Sequence, residues 1–296
     1  MRPFAYSAPA TLDDAIASIS DSKRPLAGGT DLLTLMNADL AAPDQLVAVR
    51  RLLPCGVDAH DGTVTLGAGT LLSDIEAHPD LNARFTAVAQ AAALAASPQL
   101  RNTATLGGNL LQRPRCWYFR EAALKCWLKG GDTCLARDGQ NQRHAVFGAS
   151  PCVAVHPSDL ATALVAFDAS LTIRGPSGER TVSLDEFFAL PAEDRRTENT
   201  LGSRELILGV NVPTHPPETR SLYLKAMDRA AFSFALVAVA AVVRLSPEGR
   251  IGHARIVLGG VAPIPWRAGA AEAVLLGHEV TGARLRNAAQ AAVTGA

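Results

Sequence analysis

The chain has 296 residues, 48% hydrophobic and 19% charged, which is enough for two or three units with cores of their own. Lys plus Arg and Asp plus Glu number 28 each, so the formal net charge is zero and no global positive field gathers nucleic acid or an anionic membrane. The longest apolar stretch, 234–243, is too short to span a bilayer, and the N-terminus lacks a signal peptide's basic start and apolar core, so a soluble protein with no export signal of its own is expected.

In chain order, Thr11 is placed to cap a helix running to Ile19, with Asp14 near its positive end. A short strand then leads into Ala27-Gly28-Gly29-Thr30-Asp31, followed by apolar Leu32, Leu33, Leu35 and Met36. Residues 45–49 read as a buried strand, and 62–69 open a β-rich second unit. Helices are expected over 71–76 and over the alanine-rich 84–96. Residues 110–150 hold no sustained period, and a loop of that length is either disordered or functional. Its aromatics, Trp117, Tyr118, Phe119 and Trp127, argue against disorder. Beyond it, 152–155 is strand-like, 160–167 helical, and 170–174 pairs with 180–183. A domain boundary is expected near residue 177, ahead of the irregular stretch 191–200. The last unit is mainly β. There, 205–212 stops at Pro213, and 236–245 turns at Ser246-Pro247-Glu248-Gly249 into 251–258, a strong hairpin signal. An alanine-rich helix over 268–276 follows.

Gly28 and Gly29 permit positive φ and close backbone approach, so successive N–H groups can converge on a phosphate, with the Thr30 hydroxyl beside them. A strand-to-helix turn that needs glycine for geometry alone explains the same residues, and taken singly has the better claim. Thr105-Leu106-Gly107-Gly108-Asn109 repeats the chemistry. Two such turns in two subdomains favour a diphosphate gripped from both sides. The G-x-G-x-x-G fingerprint is missing, because Gly67-Ala68-Gly69 has no third glycine at Leu72 and reads as a structural turn. No G-x-x-x-x-G-K-[ST] occurs either, which counts against a nucleoside triphosphatase.

Five cysteines in a chain of this length do not make a secreted disulfide scaffold. Four of them, Cys116, Cys126, Cys134 and Cys152, are spaced C-x9-C-x7-C-x17-C, unlike the paired C-x2-C knuckles of structural zinc, and Cys55 stands apart. Between 113 and 143, Arg113, Arg115, Arg120, Lys125, Lys129, Arg137 and Arg143 outnumber Glu121, Asp132 and Asp138. That surplus suits an anionic cluster on thiolates and lowers thiol pKa values. On spacing alone, iron–sulfur ligation and a solvated basic loop with incidental cysteines both stay open. His144 and His156 are left outside the metal set, because a lone histidine is more often packed or hydrogen-bonded. Ser158 and Asp159 both stand where a helix is capped, and Asp159 is also placed to accept hydrogen bonds from a sugar or ribityl hydroxyl. Lys225, in an apolar strand-like context, reads by itself as a snorkelling surface lysine. Its functional reading is a cation for the negative charge that a reduced flavin develops.

The segments LAGGTDLLTLM (26–36), SPQLRNTATLGGNLLQRPRCWYFR (97–120), HPSDLATALVAFDA (156–169), KAMDRAAFSFALVAVA (225–240) and LGGVAPIPWR (258–267) cover almost the whole chain. Together they resemble the FAD-binding middle subunit of the xanthine dehydrogenase family of molybdenum hydroxylases. The periplasmic aldehyde oxidoreductase type, whose flavin subunit also carries a [4Fe–4S] cluster, is especially similar, and 4-hydroxybenzoyl-CoA reductase likewise has a cluster-bearing loop. The resemblance implies an α+β protein. A two-subdomain FAD-binding fold of the vanillyl-alcohol oxidase/PCMH type spans 1–177, in subdomains 1–55 and 56–177 with a cluster loop over 110–152. A C-terminal α+β domain with an antiparallel sheet spans 178–296. It implies FAD contacts at Leu26, Ala27, Gly28, Gly29, Thr30, Asp31, Leu32, Leu33, Thr105, Leu106, Gly107, Gly108, Asn109, Asp159, Ile207 and Lys225, and cluster ligands Cys116, Cys126, Cys134 and Cys152.

The function it implies is electron transfer in a molybdenum-dependent aldehyde dehydrogenase. A molybdopterin-binding large subunit and a [2Fe–2S] small subunit would be the partners, in a heterotrimer or a dimer of heterotrimers. Neither nucleic acid nor membrane is expected as a partner. The compartment is cytoplasmic by this sequence alone, and periplasmic if a signal-bearing partner carries the complex out. A zinc-binding scaffold and a free-standing FAD oxidoreductase without a cluster are the rivals. Two departures from the relatives stand out. Their RASY-type segment is Arg229-Ala230-Ala231-Phe232 here, losing two hydroxyls, and the chain ends at Ala296 where they continue, so either a trimmed C-terminal domain or reduced partner contacts are expected.

Overall fold

The computed structural model describes all 296 residues. It opens with a parallel sheet of β1 (Ala5–Ser7), β2 (Lys23–Leu26) and β3 (Gln45–Ala48), in the order β1-β3-β2. Parallel neighbours need crossovers, and the helices Leu12–Ser18 and Leu32–Asn37 supply them. Thr11 caps the first of these as its sequence position predicts, accepting from the Asp14 N–H. Ala15, Ile16, Val47 and Val49 form the small core of this unit.

An antiparallel sheet follows, built from β4 (Val57–His60), β5 (Thr63–Gly67), β6 (Ser170–Gly175), β7 (Gly178–Ser183) and β8 (Leu206–Pro213), in the order β4-β5-β8-β6-β7. β8 lies between β5 and β6 and bonds to both. The boundary expected near residue 177 therefore falls at the tip of the β6–β7 hairpin, inside a continuous sheet. The first domain runs on through β8. Local sequence could not reveal this, because β5 and β8 pair across about 140 residues and the irregular stretch 191–200 mimics a linker. The Cys152–Val155 segment, expected as a strand, joins no ladder.

The C-terminal sheet runs β12-β11-β10-β9, all antiparallel, from β9 (Arg220–Ala226), β10 (Val237–Leu245), β11 (Ile251–Gly259) and β12 (Trp266–Arg267). The Ser246–Gly249 turn joins β10 to β11, with Gly249 at φ +78. Helix Gly269–Leu275 was expected; helix Gly282–Ala292, capped by Thr281, was not. The architecture is the expected α+β one, a two-subdomain unit followed by a C-terminal α+β domain. No helix is long and apolar enough to cross a membrane.

Helix Asp159–Ala166 is buried at every position. It belongs to a core of 37 residues that also takes in helix Thr86–Leu94, the five-stranded sheet, and Tyr223, Ala238, Ala240, Val242 and Val257 of the C-terminal sheet. A shared core of this size holds the C-terminal domain firmly against the rest, and the candidate site lies where they meet.

Candidate functional site

The two diglycine turns abut. A Cβ on Gly28 would come within 2.3 Å of Thr103 O, so glycine is required there by contact between two backbones. Gly29 has φ +72. From Gly28 through Leu32, no backbone N–H finds an acceptor within the chain. This run of free donors borders a cavity of about 1180 Å³ that Thr30 and Asp31 help to line. Such a volume accommodates a dinucleotide, and successive unpaired N–H groups form an anion-binding nest.

The second turn is built differently. Leu106, Gly107 and Asn109 donate to Thr70 O, Ala68 O and Thr105 O, and the Gly108 N–H goes to the capping Thr105 hydroxyl. Donors from both turns were expected; the free donors are on the first turn alone. The second contributes Gly108 and Asn109 to the cavity wall, with Asn109 Oδ1 held by the Ser158 hydroxyl at 2.6 Å. Gly67 is structural, as its sequence suggested, because a Cβ there would strike Pro54 O.

Asp159 and Lys225 meet on the wall contributed by the C-terminal half. Ser158 caps helix Asp159–Ala166, which frees the Asp159 carboxylate from that task. Asp159 accepts from Lys225 Nζ at 2.8 Å and from the Tyr223 hydroxyl at 2.5 Å, while Lys225 also donates to Leu94 O. The Lys225 side chain is 1% exposed, which corrects the surface-snorkelling reading. Burial pushes the Asp159 carboxyl above its ordinary range, and Lys225 and Tyr223 pull it back. Burial and the adjoining carboxylate push the Tyr223 phenol up as well. Tyr223 was overlooked, although strand period places residues 223 and 225 on one face of β9.

The four cysteines come together in one cluster. Cys126 and Cys152 are buried with Phe119, Trp127 and Ala154, and Cys116 and Cys134 pack against them. The neighbouring Cys152 draws the Cys134 pKa down to about 5, and that same partnership together with burial pushes Cys152 up. Burial is the larger influence on Cys116, raising it, against backbone N–H groups of Tyr118 and Phe119. The Ala154 backbone N–H donates to the Cys152 sulfur at 3.4 Å. His144 Nε2 lies 3.1 Å from Cys116 Sγ. No three Cys, His, Asp or Glu side chains close around one ion position.

Thr30, Asp31, Gly108, Asn109, Asp159 and Lys225 thus line one cavity, and so do Cys116 and Trp117. Leu26, Ala27, Leu32 and Leu33 flank the first turn, while Thr105, Leu106 and Gly107 are buried behind the second. Ile207 stands apart, buried in the core on β8. Phe232, at φ +52, and Phe234, with Arg115 stacked over its ring at 4.9 Å, form the outer edge.

Residues 2–215 match the sequence family described as the FAD binding domain in molybdopterin dehydrogenase, and residues 222–296 match the CO dehydrogenase flavoprotein C-terminal domain. The aldehyde oxidoreductase FAD-binding subunit PaoB of Escherichia coli is 38% identical over 283 residues, covering 93% of this chain and 86% of that protein. The carbon monoxide dehydrogenase medium chain of Hydrogenophaga pseudoflava is 29% identical, covering 98% of this chain and 86% of that one. A solved structure of carbon monoxide dehydrogenase from the same organism superposes with a TM-score of 0.76 over 98% of this chain and 86% of its own, at 29% identity.

Proposed function

The chain belongs to the FAD-binding family of molybdopterin dehydrogenases, and on that premise we propose that it is the FAD- and [4Fe–4S]-containing electron-transfer subunit of a molybdenum-dependent aldehyde oxidoreductase. Electrons would reach it from a molybdopterin subunit through a [2Fe–2S] subunit and leave to an external acceptor. FAD supplies the chemistry of accepting a pair of electrons and releasing them singly or together. What the chain adds is binding and electrostatics. The free N–H groups of 28–32 are suited to the diphosphate. Asp159 and Lys225 present paired charge to the opposite wall, and Tyr223 fixes the Asp159 carboxylate through a short hydrogen bond. Phe232 and Phe234 keep one rim apolar and restrict water.

For the cluster, support comes from four thiols gathered in one packed group, with the Ala154 N–H donating to the Cys152 sulfur, a donor type whose chemistry fits [4Fe–4S]. Cys116 lies on both the cysteine group and the cavity wall, which would bring the two redox centres close. The observation that carries the FAD reading is the nest at 28–32 opening on a dinucleotide-sized cavity. Purification of the complex with counts of FAD, iron, acid-labile sulfide and zinc tests both readings. Flavin with iron and sulfide supports them. Zinc without iron would instead identify a scaffold, and flavin without either metal a free-standing flavoprotein.

A further inference from the structure

Asp31 occupies the N-cap of helix Leu32–Asn37, a position where an aspartate ordinarily accepts from its own helix. It makes no such bond. Its carboxylate turns instead to the cysteine loop, accepting the Arg113 backbone N–H at 2.8 Å and Arg120 Nη2 at 2.9 Å, and pairing with Arg115 Nη1 at 2.8 Å. Arg120 also closes the loop on itself, donating to Pro114 O and Arg113 O. Both side chains are well covered, Asp31 at 14% exposure and Arg120 at 19%. One residue of the phosphate turn is therefore bonded at three points to the segment leading into Cys116.

We infer that Asp31 and Arg120 are positioning residues that couple FAD binding to the ordered state of the cysteine loop. The inference rests on the proposal that the 28–32 turn binds FAD. With the loop in place, the Asp31 carboxylate is fixed and the free N–H run on either side of it keeps one conformation. With the loop released, two hydrogen bonds and an ion pair are lost, and the turn must be ordered by the ligand at a cost in affinity. Linkage makes the coupling reciprocal: FAD must stabilise the loop by the same factor by which the ordered loop tightens FAD. Arg120 is outside the cavity lining, so its effect on FAD would have to pass through Asp31.

The test titrates FAD into the flavin-stripped full-length chain, followed by flavin fluorescence, for wild type, Arg120→Ala, Arg120→Lys and a remote ion-pair control, Arg180→Met. Amide exchange over 113–120 is read with and without FAD. Arg120→Ala is expected to weaken FAD at least tenfold, about 1.4 kcal/mol. Arg120→Lys should fall between it and wild type, Arg180→Met should match wild type, and FAD should slow exchange over 113–120. An Arg120→Ala affinity within twofold of wild type, or loop exchange that ignores FAD, overturns the coupling. If Arg120→Ala does not fold, Arg120→Lys decides on the same criteria. A wild-type chain that takes up no FAD defeats the functional proposal itself, and is seen before any variant is compared.

Discussion

Lys225 Nζ and Asp159 Oδ2, 66 residues apart in the chain, lie 2.8 Å from each other on the cavity wall, with Tyr223 closing the other carboxylate oxygen. A buried pair of this kind contributes little net stability by itself, yet removing one partner leaves an uncompensated charge. Lys225→Met is therefore expected to destabilise the chain by about 3–5 kcal/mol in denaturant unfolding. Lys225→Met with Asp159→Leu should recover most of that loss. A double variant as unstable as the two single effects summed would show that the residues act independently.

His156 is buried against Phe188, and its Nδ1 accepts the Ser158 N–H, so the ring is held neutral. Burial draws its pKa down to about 3. Because the unfolded chain binds the proton more readily, stability is intact above the ordinary histidine pKa of about 6.5 and is lost as pH falls from there toward 3, by up to about 1.4 kcal/mol per unit. His156→Asn removes the titration. Its unfolding free energy should vary less than that of wild type between pH 6.5 and 4, and parallel curves would refute the assignment.

Gly28 carries the contact between the two turns. Gly28→Ala should force Thr103 and the second turn outward, costing about 1–3 kcal/mol of stability and most of the FAD affinity. Gly269, whose added Cβ meets nothing, is the control: Gly269→Ala should leave both unchanged. Equilibrium dialysis against FAD separates the two outcomes.

In the metal-free chain, Cys134 should be the first of the four clustered thiols labelled by iodoacetamide, because the neighbouring Cys152 stabilises its thiolate and it is only partly buried. Labelling should persist down to about pH 5, the value to which its pKa is drawn, and fade below it. Peptide mapping that finds all four cysteines labelled alike, or Cys134 inert at pH 6, would contradict the Cys134–Cys152 pairing.

Local signals were the ones legible in the sequence. Thr11 and Ser158 stand at the helix starts they cap, and the Ser-Pro-Glu-Gly turn marks its hairpin. Gly28 and Gly29 were readable as a turn, though not the division of labour by which one satisfies packing and the other opens the nest. Long-range relations were hidden. Nothing near Leu206–Pro213 announces pairing with Thr63–Gly67, which is why the domain was expected to end too early. Lys225 looked like a surface residue because its partner Asp159 is brought to it only by packing of the C-terminal sheet on the central helix. Asp31 was legible as part of a phosphate turn, while its three contacts with the cysteine loop come from residues more than 80 positions away.

The most direct test is cofactor release from the purified full-length chain, with the yellow chromophore identified as FAD and its amount set against protein. About one FAD per chain, lost in Gly28→Ala but retained in Gly269→Ala, is the result expected of a dinucleotide-sized cavity beside a phosphate nest. A colourless chain that takes up no FAD from excess would mean the donors at 28–32 serve something else, and the electron-transfer assignment would fall with them.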